Sequence, residues 1–186
     1  MKKNEVMLDL YRYTKKNTIT NLLKQIIFNP GFRFIYIFRR FNYHREHNNK
    51  LRMIFFKILW KRYRTLYGYE ISLNAKIGYG FYINHLGPIV VNPKCIIGKN
   101  INIHNGVTLG QENRGKRKGA PFIGDYVWIG ANSVIVGNIK IGNNVLIAPN
   151  SYVNFDVPEN SIVIGNPAKI IKKENATIDY IQNIVK

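Results

Sequence analysis

The chain has 186 residues, 28 Lys+Arg against 10 Asp+Glu, and a formal net charge of +18 at pH 7. That length suits one domain, or one domain with an appendage, and a hydrophobic fraction of 46% excludes a disordered basic tail. The single cysteine, Cys95, excludes an internal disulfide and an all-cysteine metal centre and suits a reducing compartment.

The start, Met1-Lys2-Lys3-Asn4-Glu5, is basic but leads into no apolar core of a secretion signal. No later stretch approaches the ~20 apolar residues of a spanning helix. A cytoplasmic chain is expected, with a position at the inner face of the membrane left open. Residues 1–70 hold 16 Lys/Arg against 4 Asp/Glu, so two thirds of the excess charge lies in the first part of the chain. Residues 5–28 read as helical from Val6, Leu8, Leu10, Ile19, Leu22, Leu23, Ile26 and Ile27. Asn29-Pro30-Gly31 breaks the pattern. A second helix is expected over 32–44 and a third over 51–66, ended by Tyr67-Gly68-Tyr69. Bases interleaved with Phe, Tyr and Trp suit a peripheral contact with an anionic membrane or a helical cap with a solvated basic face. No motif supports nucleic acid as a partner.

From Ile71 the periodicity changes to six. Aliphatic residues start 13 hexads, at Ile71, Ile77, Ile83, Val91, Ile97, Ile103, Leu109, Ile123, Ile129, Ile135, Ile141, Ile147 and Val153. Glycine follows six of them, and fifth positions such as Ala75, Cys95, Val107 and Val127 are small or apolar. Such a repeat indicates a parallel β-helix. Each hexad is one strand and one corner, and three close a triangular coil of about 18 residues. The aliphatic residue points inward, and the Gly or Asn after it accommodates the corner's backbone angles. The arithmetic gives a little over four coils. The expected layout is a basic aromatic α-helical segment over 1–68, a β-helix over 69–172 and a tail over 173–186, with a helix over 176–185.

The repeat is interrupted around Gly87-Pro88 and by the glycine-punctuated loop 111–122. That loop carries four bases between Arg114 and Lys118. It reads either as a mobile phosphate or acid contact or as a solvated loop. His85 lies at the first interruption, and Glu70 precedes it by 15 residues. That spacing brings the two near one edge on neighbouring coils. A carboxylate on one imidazole nitrogen would raise the basicity of the other; an accidental surface pair is the plainer reading. His44 and His47 read as exposed turn residues. His104 reads as structural or at the edge of a site. Two histidines in the repeat zone are too few for a three-histidine metal site, so no metal is expected. Cys95 reads as core packing.

The ordered string Glu70-Ile71, Ile77-Gly78-x-Gly80, Asn84-His85-x-Gly87, Val107-Thr108-Leu109-Gly110, Ile123-Gly124-Asp125, Ile129-Gly130-Ala131 and Gly165-Asn166-Pro167-Ala168-Lys169 resembles the serine acetyltransferases. These are hexapeptide-repeat acyltransferases built on a left-handed parallel β-helix. The resemblance covers roughly residues 65–172 and implies acetyl-CoA as acetyl donor. It puts His85 at the catalytic base and Glu70 at the carboxylate that orients it. Gly110, Ala131, Ala148 and Pro149 fall at the pantetheine contacts, and Lys169 falls near the cofactor's phosphates. It also implies a homotrimer with the cofactor between subunits.

The departures concern the acceptor. Asn84 stands where the family keeps an Asp that holds the serine ammonium, and Gly119 and Ala120 stand where it keeps an Arg-His pair for the carboxylate and hydroxyl. Losing such charged contacts, each worth ~1.5–3 kcal/mol, should weaken serine binding. The expectation drawn from these departures is an O-acetyltransferase of the capsular or surface polysaccharide type, with a sugar hydroxyl as acceptor, His85 as base and Asn84 as a substrate contact. Serine O-acetylation for cysteine synthesis is the alternative within that chemistry. A non-catalytic β-helix that binds a membrane or partner is the alternative outside it.

Overall fold

The computed structural model describes residues 4–185. The basic start at positions 1–3 and the end at 186 lie outside the described residues.

Four helices come first: α1 (Glu5–Thr14), α2 (Ile19–Phe28), α3 (Pro30–Glu46) and α4 (Lys50–Tyr67). The expected single helical run over 5–28 is two helices. Lys15 turns left-handed at φ 59°, and the Thr18 hydroxyl then caps α2 by accepting from the Asn21 N–H. Asn29 caps α3 in the same way, with Pro30 in its first turn. Asn49 caps α4, and Gly68 ends it at φ +73°.

The strands then wind in coils. The first coil holds β1 (Tyr69–Ile71), β2 (Lys76–Ile77) and β3 (Tyr82–Ile83), and the second β4 (Ile89–Val91), β5 (Ile96–Ile97) and β6 (Asn102–Ile103). The third holds β7 (Thr108–Gly110), β8 (Phe122–Ile123) and β9 (Trp128–Ile129), and the fourth β10 (Val134–Val136), β11 (Lys140–Ile141) and β12 (Val145–Ile147). A fifth follows with β13 (Tyr152–Val153), a parallel bridge from Val157 to Ile141, and β14 (Ser161–Gly165), on which β15 (Ala168–Lys172) folds back antiparallel. The first face of the prism is β1-β4-β7-β10-β13, the second β2-β5-β8-β11, and the third β3-β6-β9-β12-β14-β15. This is a mainly β protein, a left-handed parallel β-helix of about five turns with N-terminal helices. The fifth turn escapes the hexad count because Glu159, not an aliphatic residue, stands six positions after Val153.

Identical registers stack the hexad starts into ladders. Ile71, Val91, Leu109, Ile135 and Val153 line the first face, and Ile83, Ile103, Ile129, Ile147 and Val163 the third, all buried. Cys95 is buried among them as a free thiol, pushed up to about 12 by burial, which keeps it protonated and inert.

The glycines that follow the hexad starts serve otherwise than expected. A Cβ on Gly78 would meet the Gly98 carbonyl oxygen at 2.5 Å, and one on Gly98 the Gly124 carbonyl oxygen at 2.5 Å. These residues permit close approach of successive coils. The left-handed corner angle falls two positions later, at Gly80 (φ +75°), Asn100, Tyr126 and Asn144.

The helices close the first coil. Phe34, Ile35, Phe38 and Phe41 of α3 join one core with Tyr69, Ile71 and Phe81. The Trp60 indole N–H donates to the Ile71 carbonyl at 3.2 Å. Beneath them Arg39 donates to Asp9 at 2.7 Å and to the Ile77 and Gly78 carbonyls at 2.6 Å each. Asp9 accepts in turn from the Gly80 and Phe81 N–H groups at 2.7 and 3.0 Å.

The tail is not the expected helix. Residues 173–185 run back over the third face as a series of turns. The Asn102 amide donates to the Tyr180 carbonyl, and Asn100 both donates to and accepts from the Val185 backbone. Side chains of the prism supply the hydrogen bonds that a helix would have made internally. The loop 111–122, expected to be mobile, is closed by two backbone hydrogen bonds of 2.9 Å between Glu112 and Gly119.

Candidate active site

The insertion at Gly87-Pro88 makes the first passage from the third face to the first face bulge outward. Gly87 is at φ +134°, and the Gly106 N–H of the next coil donates to the Pro88 carbonyl. His85 rides on this bulge. The Tyr69 hydroxyl, pushed up to about 12 by burial and so a firm donor, holds the His85 carbonyl from inside at 3.1 Å. The imidazole is left exposed, with its Nε2 2.9 Å from the Asn84 amide nitrogen. Asn84 Oδ1 accepts from the Tyr82 hydroxyl at 3.4 Å, so the amide donates and His85 Nε2 accepts. That leaves the proton of the neutral ring on Nδ1.

The same edge, one coil on, carries His104. Its ring lies 5.6 Å from that of His85 and 4.6 Å from that of Trp128. Burial, and secondarily the charge of His85, lowers its pKa to about 4. The sequence reading of His104, structural or at the edge of a site, agrees with this position; what spacing could not give is the burial that keeps the ring neutral. Ala131 follows β9 and Ala148-Pro149 follows β12, so three of the sequence-derived positions share this edge with His85.

The expected Glu70–His85 hydrogen bond is not formed. Strand alternation turns Glu70 outward on the first face, and its carboxylate accepts from Arg64 of α4 at 3.1 Å. Both partners are exposed. There Glu70 lines a shallow cavity of about 320 Å³ with Arg64, Val90, Leu109 and Gly110. Gly110 thus sits with Glu70 and away from the edge. Lys169 is exposed on β15, opposite Ile164.

The helical histidines differ from expectation on one point. His44 is buried, its ring stacked on Phe56 at 5.5 Å, and burial and Arg40 lower its pKa. His47 is exposed as expected, with Nδ1 donating to the Tyr43 carbonyl. Among the described residues no three His, Cys, Asp or Glu side chains gather as a metal site, and no helix is long and apolar enough to cross a membrane.

The comparisons with known proteins bear on what this edge serves. Residues 120–154 match the family model for the bacterial transferase hexapeptide (six repeats). A serine acetyltransferase of Staphylococcus epidermidis is 41% identical over 135 residues, which is 73% of this chain and 63% of that protein. The crystal structure of the Neisseria gonorrhoeae serine acetyltransferase superposes with a TM-score of 0.70 at 30% identity, over 95% of this chain and 67% of that one. A serine acetyltransferase in complex with CoA superposes at 0.73 and 28% identity, over 90% of this chain and 68% of that one. The chain spans about 63% of the length of the Staphylococcus epidermidis relative.

These findings overturn the polysaccharide reading, since the relatives named here are serine acetyltransferases. The neutral residues at 84, 119 and 120 carry no sign of their own that points to a sugar. The basic aromatic segment that prompted the membrane-linked glycan also has another use, since Phe32, Phe34, Phe38 and Phe41 are buried. The chain belongs to the hexapeptide-repeat acyltransferase family, with serine acetyltransferases as its homologues.

Proposed function

We propose that this chain transfers an acetyl group from acetyl-CoA to the hydroxyl of L-serine. The observation that carries the reading is the exposed His85 imidazole, an acceptor at Nε2, on an edge shared with Ala131 and Ala148 in a chain 41% identical to a serine acetyltransferase. The serine hydroxyl displaces the Asn84 amide and gives its proton to His85 Nε2. The oxygen attacks the thioester carbon, the C–S bond breaks, and His85 returns the proton to the CoA thiolate. No acyl-enzyme forms, in keeping with the buried Cys95.

Asn84 then holds the acceptor. Glu70, held by Arg64, acts through its charge and not through contact. Ala131 and Ala148, beside Pro149, leave backbone open to the pantetheine arm on this edge, Gly110 on the first face offers its backbone to the arm across the subunit boundary, and Lys169 meets the phosphates. The working form is a homotrimer with acetyl-CoA between subunits, and dependence on acetyl-CoA assigns it to the cytoplasm. Exposed Ile19, Leu23 and Phe28 of α2 and Leu51, Phe55 and Ile58 of α4, flanked by Lys24, Arg52 and Lys57, suit a peripheral contact with an anionic membrane.

The test is CoA release and O-acetylserine formation from acetyl-CoA and L-serine. His85→Ala should lower turnover by about 10²–10⁴-fold with acetyl-CoA binding retained. Absence of serine-dependent release from the wild type, or normal release from His85→Ala, would overturn the assignment.

A further inference from the structure

The departures at 84, 119 and 120 leave the carboxylate of the acceptor without the cation expected to meet it. On the wall of a cavity that Asn84 also lines, the molecule holds a buried cation with no carboxylate in direct contact. Arg12 of α1 is 4% exposed. Its Nε donates to the Gln182 carbonyl at 2.9 Å, and its two terminal nitrogens donate to the Gly80 carbonyl at 2.8 Å and to Asn102 Oδ1 at 2.5 Å. All three acceptors are neutral, and a guanidinium has five N–H groups to satisfy. The nearby Asp9 carboxylate is occupied by Arg39 and by the Gly80 and Phe81 N–H groups. Among the described residues no carboxylate forms an ion pair with Arg12. Burial lowers its pKa to about 10, against the smaller raising effects of Tyr13 and of the Asp9 charge.

Arg12 lines a cavity of about 260 Å³ between α1, the third face and the folded-back tail. Asn84, Asn102, His104, Trp128 and Tyr180 are among its other walls. The volume is roughly nine times that of a water molecule, whose share of the liquid is about 30 Å³. It suits a small amino acid and is too small for a glycan chain. Asn84 touches the His85 ring, so the cavity opens beside the proposed base. His104 Nε2, buried and without a hydrogen-bond partner, adds a neutral polar atom to the wall.

We propose that this cavity receives the α-carboxylate of an amino acid and that Arg12 is its anchor, the acceptor L-serine being the first ligand. The assignment of serine as acceptor rests on the function proposed above; the carboxylate chemistry does not. Arg12 is then a specificity-determining residue, supplied by the helical segment in place of the cation missing from the loop before Pro121. Tyr180, Gln182 and Asn183 of the tail form one wall of the cavity, so the tail is part of the site.

The test compares L-serine with L-serinamide, which keeps the hydroxyl and amine but lacks the carboxylate. The wild type should prefer serine by tenfold or more in kcat/KM. Arg12→Gln should abolish that preference, raising KM for serine about 10–100-fold and leaving KM for acetyl-CoA unchanged. Because Arg12 also ties α1 to the tail, Gln182→Glu provides a second variant. Gln182 is exposed and its side chain makes no hydrogen bond among the described residues, so a carboxylate there competes for Arg12 with little risk to folding. It should reduce the preference several-fold. Preference unchanged in both folded variants, with the wild type turning over serine, would overturn the inference and leave the function standing. Serine that raises the melting temperature of the wild type but of neither variant, without any turnover, would remove the function and keep the cavity as an amino-acid site.

Discussion

The helical segment and the prism bury comparable side chains by different physics. The prism is held by repetition. Each aliphatic residue of a ladder meets its equivalent one coil away, and no charged side chain enters the interior. The helical segment is held by particular pairs. Asp9, Arg12 and Arg39 are all buried, and between them they reach the carbonyls of Ile77, Gly78 and Gly80 and the N–H groups of Gly80 and Phe81. A ladder tolerates the loss of one rung through its neighbours. A buried ion network has no neighbour to share the loss. Stability in the prism is therefore distributed, and in the cap it is concentrated at three side chains.

The largest expected effect follows from that concentration. Asp9→Ala leaves the Gly80 and Phe81 N–H groups without their carboxylate and leaves the buried Arg39 guanidinium only the half-exposed Glu5, at 3.1 Å. It should cost about 3–5 kcal/mol and release the helices before the prism, seen as loss of near-ultraviolet aromatic signal at lower urea than loss of the β signal. A single coincident transition at unchanged midpoint would break the contrast.

Leu109→Ala, in the middle of the first-face ladder, should cost about 2–5 kcal/mol and shift both signals together, since the prism supports the cap. A smaller shift belongs to His104. Its pKa of about 4 lies below the ordinary 6.5. The folded state therefore binds fewer protons than the unfolded state in that interval. The contribution is whole above pH 6.5 and is lost as pH falls toward 4. His104→Gln should flatten the fall of the urea midpoint between pH 7 and pH 4; an unaltered pH dependence would show that His104 titrates normally.

The smallest effect is expected at Glu70. Its pair with Arg64 is exposed on both sides, so Glu70→Gln should change stability by less than about 1 kcal/mol and turnover by only a few-fold. A loss approaching that of His85→Ala would mean that Glu70 leaves Arg64 for His85 in the working complex.

These contrasts mirror what could be read in advance. The hexads announced the β-helix because a period of six is written into the chain once per strand. His85 stood out because it sits where the period fails. The fifth coil was missed because Glu159 takes an aliphatic place, and the split between α1 and α2 because Thr18 acts as a cap, a role that depends on local backbone angles. The Glu70–His85 pair was inferred from distance along the coil, which ignores the outward turn that strand alternation imposes. Arg12, Asp9 and Arg39 carried no signal at all among so many cations and helical polar residues.

The sequence by itself thus determined the periodic part, the prism and its inward ladders, since each rests on spacing along the chain. Tertiary structure alone decided which charges are buried, which face the tail covers, and that Arg12 comes to lie beside Asn84. Those depend on contacts between residues as many as 171 positions apart, and no local pattern encodes a meeting at that separation.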